Sequence, residues 1–550
     1  MNRERIVCPL CNDTVEELVY NFHINSERVV IDKIKSNNPT WAEQDGICSR
    51  CIDYYNIEII REQKLLPEIG PFFSVKSADD FIILPTALRV DANPKYTGKG
   101  ITICFIDSGF YLHPDLVKNK NRIKKVVDIT KPRTTAKYFS QPHNESWHGT
   151  MTSVVCAGDA SLSNGLYKGI ASDASLVLLK VMDSNGKITT ENISKALQWV
   201  AKNHKQYNIR LINMSLGDDA IGSWKNSKVD LLAEQLIEKG ISIVAAVGND
   251  NNASIKPPAN SPNVIAVGGW DDNNKLNGEE SKLYHSSFGK TDDELHKPEL
   301  IANAIWMAAP ILPGTPEQET AKALYGLQQS PDEKLKHMIL TSADKTGINA
   351  DEVEINDVTF CREKIKSRIQ ESKYISQHYM HVDGTSFAAP IVTSVIAQML
   401  EINPDLNPAQ IRKILFSTSE RLPGLPAEQQ GYGVIQPGKI IIKALQNLYA
   451  MKQNPSPYVN IKKKVIEFYI HHPCASNVFL AGSFNNWAHD ALLMEPSVNG
   501  LWKIEIPMLP KGAYQYKFFV DDKSWMEDFD NPYREPDGLN GFNSILVIEN

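Results

Sequence analysis

Three short stretches of this chain each carry one side chain that nucleophilic catalysis requires. Ile103-Cys104-Phe105-Ile106-Asp107-Ser108-Gly109 is an apolar run ending in a carboxylate and a glycine turn, and open α/β sheets place their chemistry at the carboxyl ends of strands. Ser146-Trp147-His148-Gly149-Thr150 sets an imidazole at the opening of a helix of small residues. Asp383-Gly384-Thr385-Ser386-Phe387-Ala388-Ala389-Pro390 sets a hydroxyl at the start of another helix, where free N–H groups and the positive end of the dipole favour a developing anion. Taken singly, each is an ordinary turn or cap. Together, in the order Asp, His, Ser, they supply a nucleophile, a base and a carboxylate to orient the base.

Such groups need a rigid frame. Short runs rich in Val and Ile at 101–106, 176–181, 211–216, 242–247 and 264–267 alternate with helical patterns at 191–203 and 229–239. That alternation predicts an α/β fold, a parallel sheet sandwiched by helices and built from right-handed crossovers. The unit is expected over 90–450, with a polar, helix-prone insertion at about 310–379. A cysteine-bearing module at 1–60 and a lead-in at 61–89 precede it. Pro and Asn mark a linker at 451–462, and alternating strands with Gly, Asn and Pro turns predict an all-β sandwich over 463–550.

From about residue 90 to 445 the chain resembles the subtilisin-like serine proteases. Besides the three stretches, the likeness rests on Asn213-Met214-Ser215-Leu216-Gly217, Val244-Ala245-Ala246-Val247-Gly248-Asn249, Asn263 to Gly268, Ser286-Ser287-Phe288-Gly289 and Gly431-Tyr432-Gly433. The resemblance implies a serine endopeptidase acting on protein or peptide substrates. Ser386 would attack the carbonyl, His148 would carry the proton, Asp107 would hold the imidazole, and Asn249 would donate to the oxyanion. Ser215, Leu216 and Gly217 would pair with substrate backbone as an added strand. Lys256, ahead of Pro257-Pro258-Ala259, falls where the family lines its primary pocket and would favour an acidic or polar residue before the cleaved bond. Phe387 stands where the family often has Met, and Lys297 to Ala304 lacks the usual Pro-Gly; neither change removes a chemical group. Many relatives bind calcium through a loop corresponding to 158–169, where no ligands are assigned here. Residues 72–88, with Ile82-Ile83-Leu84-Pro85, are expected to pack as a lead-in to the core, the alternative being occupation of the cleft.

Cys8, Cys11, Cys48 and Cys51 form two CxxC pairs. Four thiolates could close a structural, tetrahedral zinc site with no open position for hydrolysis, although the separation of the pairs exceeds the roughly 15–20 residues of compact ribbons. A redox or disulfide pair is the competing reading. The tail, through Val478 to Trp487 and Gly512 to Asp521, resembles the glycogen-binding module of the AMP-activated protein kinase β-subunit and related immunoglobulin-like early-set domains. That resemblance implies glycogen or another α-glucan as a partner, with Trp487 and Trp525 stacking on glucose rings, Lys517 donating to hydroxyls and Asn543 hydrogen-bonding the glucan. A structural spacer is the plainer alternative.

The balance of 58 Lys plus Arg against 65 Asp plus Glu, with net charge −7, lacks the footprint of a nucleic-acid binder. No signal-peptide core and no stretch approaching a membrane span is read, so a cytoplasmic protein with no membrane partner is expected. A glucan-associated scaffold with an inactive protease fold is the competing class; a glycoside hydrolase lacks a carboxylate pair to place across a sugar.

Overall fold

The computed structural model describes residues 6–10, 14–15, 18, 28–47, 51, 55, 83–218, 221–276, 281–446, 456–472, 475–496, 501–539 and 541–548. Near the N-terminus, β1 (Ile6–Val7) and β2 (Thr14–Val15) pair antiparallel ahead of a helix, Arg28–Asn37. Its Ile31 and Ile34 bury against Cys8, Trp41, Ile47 and Cys51. Cys11 and Cys48 lie outside the described residues.

The α/β body is built on β3 (Thr102–Asp107), β4 (Ile123–Asp128), β5 (Ser175–Lys180), β6 (Ile209–Met214), β7 (Ser242–Ala246), β8 (Ile265–Asp271), β9 (Lys282–Leu283) and, after a hairpin of β10 (Gly289–Lys290) and β11 (His296–Lys297), β12 (Leu300–Asn303). These strands, the hairpin excepted, form one eight-stranded sheet in the order β12-β8-β7-β6-β3-β5-β4, with β9 added antiparallel to β8. Every residue of β3 is buried, as a central strand covered on both faces requires. One face packs on Ser146–Ala157 and Thr385–Ile402; the other packs on Thr190–Tyr207 and Lys228–Glu238. Sequence reading did not anticipate β4. Its Lys124 and Lys125 are exposed at the sheet edge, and such charged edges hide a strand's apolar signal while blocking unwanted pairing.

The insertion folds as four helices, Pro316–Gln328, Asp332–Thr346, Ala350–Ile355 and Val358–Glu371, around a core of its own. It hangs between β13 (Met307–Pro310) and β14 (Tyr379–Val382), which pair antiparallel. In the lead-in, Ile83 buries against Ala308, Ile375 and Tyr379, so its described part packs into the body rather than entering a cleft. One expectation is corrected. The 18-residue helix Thr385–Ile402 is long and apolar enough to cross a membrane, yet it is 83% buried inside the fold; a helix apolar all round is what the centre of a large body demands.

The tail is a sandwich of two antiparallel sheets. One runs β15 (Tyr458–Asn460), β16 (Val465–His471), β19 (Leu501–Pro507), β18 (Glu495–Pro496). The other runs β17 (Val478–Gly482), β20 (Gly512–Val520), β23 (Phe542–Ile548), β22 (Arg534–Pro536), with β21 (Ser524–Met526) against β20. Its first strand, β15, falls inside the stretch read as a linker, because three residues are too few to show an alternation. Phe468, Trp502, Tyr516, Phe518 and Leu546 fill the space between the sheets. The sandwich rests on the α/β body: Arg534 stacks on Tyr432 with 4.0 Å to the ring centroid and donates to the Pro298 carbonyl at 3.2 Å, and Lys413 pairs with Asp530 at 2.7 Å.

Candidate active site

Asp107 ends β3 with 1% of its surface exposed. An ionised carboxylate there must find donors, and three converge on it. Oδ1 accepts from the Ser108 N–H and from His148 Nδ1, both at 2.7 Å; Oδ2 accepts from the Thr152 hydroxyl at 3.1 Å. His148 and Thr152 are four residues apart on one helix, hence on one face, so a single turn serves both oxygens. The helix approaches closely because Gly149 has no side chain: a Cβ there would lie 2.3 Å from the Gly109 carbonyl oxygen and 2.9 Å from the Asp107 Cβ.

Burial alone would lower the His148 pKa, but the Asp107 charge and the hydrogen bond outweigh it and the net direction is upward. With Nδ1 committed to Asp107, Nε2 is left to handle a proton. The ring lies 6.0 Å from that of Phe387, beside Ser386.

Ser386 is second in the helix Thr385–Ile402, where a backbone N–H has no carbonyl four residues back to meet. Pro390, inside the same helix, lacks the N–H that would bond the Ser386 carbonyl. That oxygen instead accepts from the Ser215 hydroxyl at 2.8 Å. The Ser386 hydroxyl in turn donates to the Ser215 carbonyl at 3.3 Å. The Ser386 helix and the predicted substrate strand are thereby tied in both directions. Asn213 completes the tie, donating to Ser215 Oγ at 3.0 Å and accepting from Thr393 at 2.9 Å.

Asn249 follows β7. Its Oδ1 accepts from both the N–H and the hydroxyl of Thr385, each at 2.8 Å, which turns the amide so that Nδ2 is the end left for a ligand. Gly217 faces Lys256: a Cβ at Gly217 would lie 3.4 Å from the Lys256 Cβ and 3.8 Å from its Cδ. Leu216 is half-buried between Ser215 and Gly217. Sequence reading missed Thr152, Thr385 and Pro390. The four-residue spacings from His148 and from Ser386 were available as signals for Thr152 and Pro390; nothing in the sequence pointed Thr385 at Asn249.

Outside this cleft, Trp487 and Trp525 stand edge to face with centroids 6.0 Å apart, and Phe519 lies 4.8 Å from Trp525. Gln515, Lys517 and Phe519 alternate with the inward Tyr516 and Phe518 along β20, and Asn543 donates to Gln515 at 3.0 Å. Lys517 is mostly covered and pairs with Asp537 at 2.5 Å, so its ammonium already has one partner. The Sγ atoms of buried Cys8 and Cys51 are 3.9 Å apart. Among the described residues, no group of three or more His, Cys, Asp or Glu is placed to hold a metal. In the loop 158–169, the nearby Asp115 carboxylate is satisfied by the Ser161 hydroxyl, the Leu162 N–H and the Tyr379 hydroxyl.

Residues 98–433 match the subtilase family, and residues 467–550 match the glycogen recognition site of AMP-activated protein kinase. The chain is similar to the serine protease AprX of Bacillus subtilis (strain 168), 26% identical over 338 residues that cover 59% of this chain and 62% of that protein. It is also similar to a thermostable alkaline protease of Halalkalibacterium halodurans, 30% identical over 245 residues covering 40% of this chain and 61% of that protein. The aligned part thus spans about three fifths of the length of these two relatives. Among solved structures, fervidolysin from Fervidobacterium pennivorans, a keratinolytic enzyme related to subtilisin, aligns over 78% of this chain and 53% of that chain at 18% identity, with a TM-score of 0.44.

Proposed function

The chain belongs to the subtilase family, and from that premise we propose that it is a serine endopeptidase with Ser386, His148 and Asp107 as nucleophile, base and orienting carboxylate. The observation that carries this reading is the buried Asp107 carboxylate holding His148 Nδ1 at 2.7 Å. That bond selects the tautomer with Nε2 free, and it stabilises the imidazolium that forms when Ser386 Oγ gives up its proton to attack a carbonyl carbon. Attack makes the C–O bond of a tetrahedral intermediate. Its oxyanion is met by Asn249 Nδ2 and by the backbone N–H of Ser386. His148 then returns the proton to the departing amine as the C–N bond breaks, and water releases the acyl group by the reverse order of events. Ser215, Leu216 and Gly217 would hold the substrate backbone on the acyl side, and Lys256, whose stem lies beside Gly217, would favour an acidic or polar side chain before the cleaved bond.

Labelling by a fluorophosphonate probe, compared between the native chain and Ser386→Ala, tests the assignment. Labelling confined to the native chain is expected. A folded native chain that takes no label removes the enzyme reading and leaves a glucan-associated scaffold.

Two accessory roles belong to the same proposal. The Trp487 and Trp525 rings offer the apolar faces that sugar rings stack on, and Trp525 is 44% exposed. Co-sedimentation with glycogen that is lost in Trp525→Ala would support glucan as the partner; no co-sedimentation of the native chain would remove it. For the cysteines, a spacing of 3.9 Å is near the edge of a tetrahedron of thiolates at about 2.3 Å from a central zinc. Cys8 and Cys51 would hold the ion together with Cys11 and Cys48, joining the two ends of the N-terminal module. Metal analysis of the purified protein should return one zinc per chain, falling in Cys8→Ser.

A further inference from the structure

A cavity of about 610 Å3 opens beside His148 and takes no part in the chemistry assigned above. Met151, Ile311 and Leu312 line it and are at least nine-tenths buried, while Trp147 stands at its rim 49% exposed. Trp147 shares that lining with Met151, Ile311, Leu312 and Met380, so its exposed face belongs to a contiguous apolar patch rather than standing alone, and it sits edge-on to the His148 ring with 5.2 Å between centroids. The opposite wall is the chain leaving β13 as it enters the insertion, with Glu317 in the first turn of its first helix.

Which side of the scissile bond the cavity serves follows from the connections. Ser215 to Gly217 and Lys256 occupy the acyl side. His148 hands its proton to the departing amine, so the residues after the cleaved bond must lie past His148, where Trp147 stands. Ile311 and Leu312 follow β13, which pairs with β14; Met380 of β14 also lines the cavity, and β14 leads through Gly384 to Ser386. The cavity is thus tied to the nucleophile by a short, hydrogen-bonded path.

We propose that this cavity, formed jointly by the His148 helix and the insertion, receives a large apolar side chain on the leaving-group side of the scissile bond. The proposal rests on the endopeptidase reading above. Its apolar floor favours Leu, Phe or Met, and Glu317 at the edge disfavours Asp and Glu.

The test uses the full chain and quenched-fluorescence peptides identical before the cleaved bond and varied in the two residues after it. Leu or Phe there should raise kcat/KM over Gly or Asp by about tenfold or more, the scale on which apolar pockets discriminate. The preference should flatten in Trp147→Ala and in Glu317→Trp, which fills the mouth from an exposed position. A second readout is the capture of the acyl-enzyme by added amino-acid amides: leucinamide should outcompete glycinamide in the native chain and lose that advantage in Glu317→Trp. Hydrolysis of a peptide p-nitroanilide, which carries no residue after the bond, monitors the triad separately. Anilide hydrolysis without a preference among the peptides or the amides overturns the pocket alone; no hydrolysis and no fluorophosphonate labelling by folded protein overturns the endopeptidase reading and the pocket with it.

Discussion

His148 is where burial and charge compete most directly. Burial disfavours its cation, the Asp107 carboxylate at 2.7 Å favours it, and the carboxylate wins. In the proposed mechanism His148 must be neutral to accept the Ser386 proton, so activity should fall as pH drops through the raised value. The acid limb of kcat/KM is therefore expected above 6.5, the ordinary imidazole value. Asp107→Asn should shift that limb downward and, by presenting the wrong hydrogen-bonding partner to Nδ1, lower turnover by about 10⁴-fold. A pH profile of both proteins checks this; an unshifted limb would show that another group sets it. The same linkage has a stability side. A folded pKa raised above the unfolded one stabilises the fold below the unfolded value, and that contribution is lost as pH rises through the folded value. Asn249 is the other residue whose effect has a scale. Asn249→Ala should cost about 10²- to 10³-fold in turnover with little change in KM, the magnitude known for such a donor in subtilisin. Its Oδ1 is tied to Thr385, so Asn249→Asp, which keeps the acceptor and removes the donor, should behave much as the alanine variant does.

Elements make these contacts by approaching closely, and Gly149 is where the His148 helix meets the turn after β3. Gly149→Ala would drive a methyl group to 2.3 Å from the Gly109 carbonyl oxygen, forcing the His148 helix away from β3. Overpacking of this kind costs about 1–3 kcal/mol, occasionally more. Chemical denaturation should show that loss, and activity should fall further than stability explains, since the 2.7 Å bond to Asp107 lengthens. A variant with unaltered stability and turnover would contradict the clash. Much of this frame was legible beforehand. Asp107, His148 and Ser386 each stand at an element boundary marked by Gly or small residues, and the buried strands are continuous Val- and Ile-rich runs. What escaped the sequence was what depends on partners distant along the chain. β4 carries its lysines to a sheet edge, and β15 is too short for a pattern. The Lys517–Asp537 pair and the Thr385 grip on Asn249 join side chains whose types give no hint of each other. The insertion was legible as helical, but its contribution to a cavity beside His148 depends on β13 meeting β14.

At the scale of the whole molecule, the sandwich and the α/β body share a junction that neither could leave exposed. Tyr432 stacks on Phe416 at 4.5 Å on one side and carries Arg534 at 4.0 Å on the other, with Phe529 of the sandwich edge-on at 5.5 Å. The Tyr432 N–H donates to the Glu299 carbonyl at 2.7 Å, on the segment leading into β12, so the covered ring is anchored to the central sheet. Arg421 pairs with Glu527 at 2.6 Å and its guanidinium lies 5.2 Å from the Phe542 centroid. Desolvated cation–π contacts are worth about 2 kcal/mol or more each, and removing one partner of a largely buried ion pair costs about 3–5 kcal/mol. A junction with those terms couples the two units, so they should unfold together. Calorimetry in a Ser386→Ala background, which prevents self-digestion, should show one transition spanning both. Arg421→Ala combined with Arg534→Ala should split it, the sandwich melting apart from the body. A chain cut after residue 446 should be less stable in its α/β body than the full chain, because Tyr432 then faces water. If the double variant still melts in a single unshifted transition, the two arginines do not carry the coupling; two transitions in the chain that keeps both arginines would make the sandwich an independent appendage.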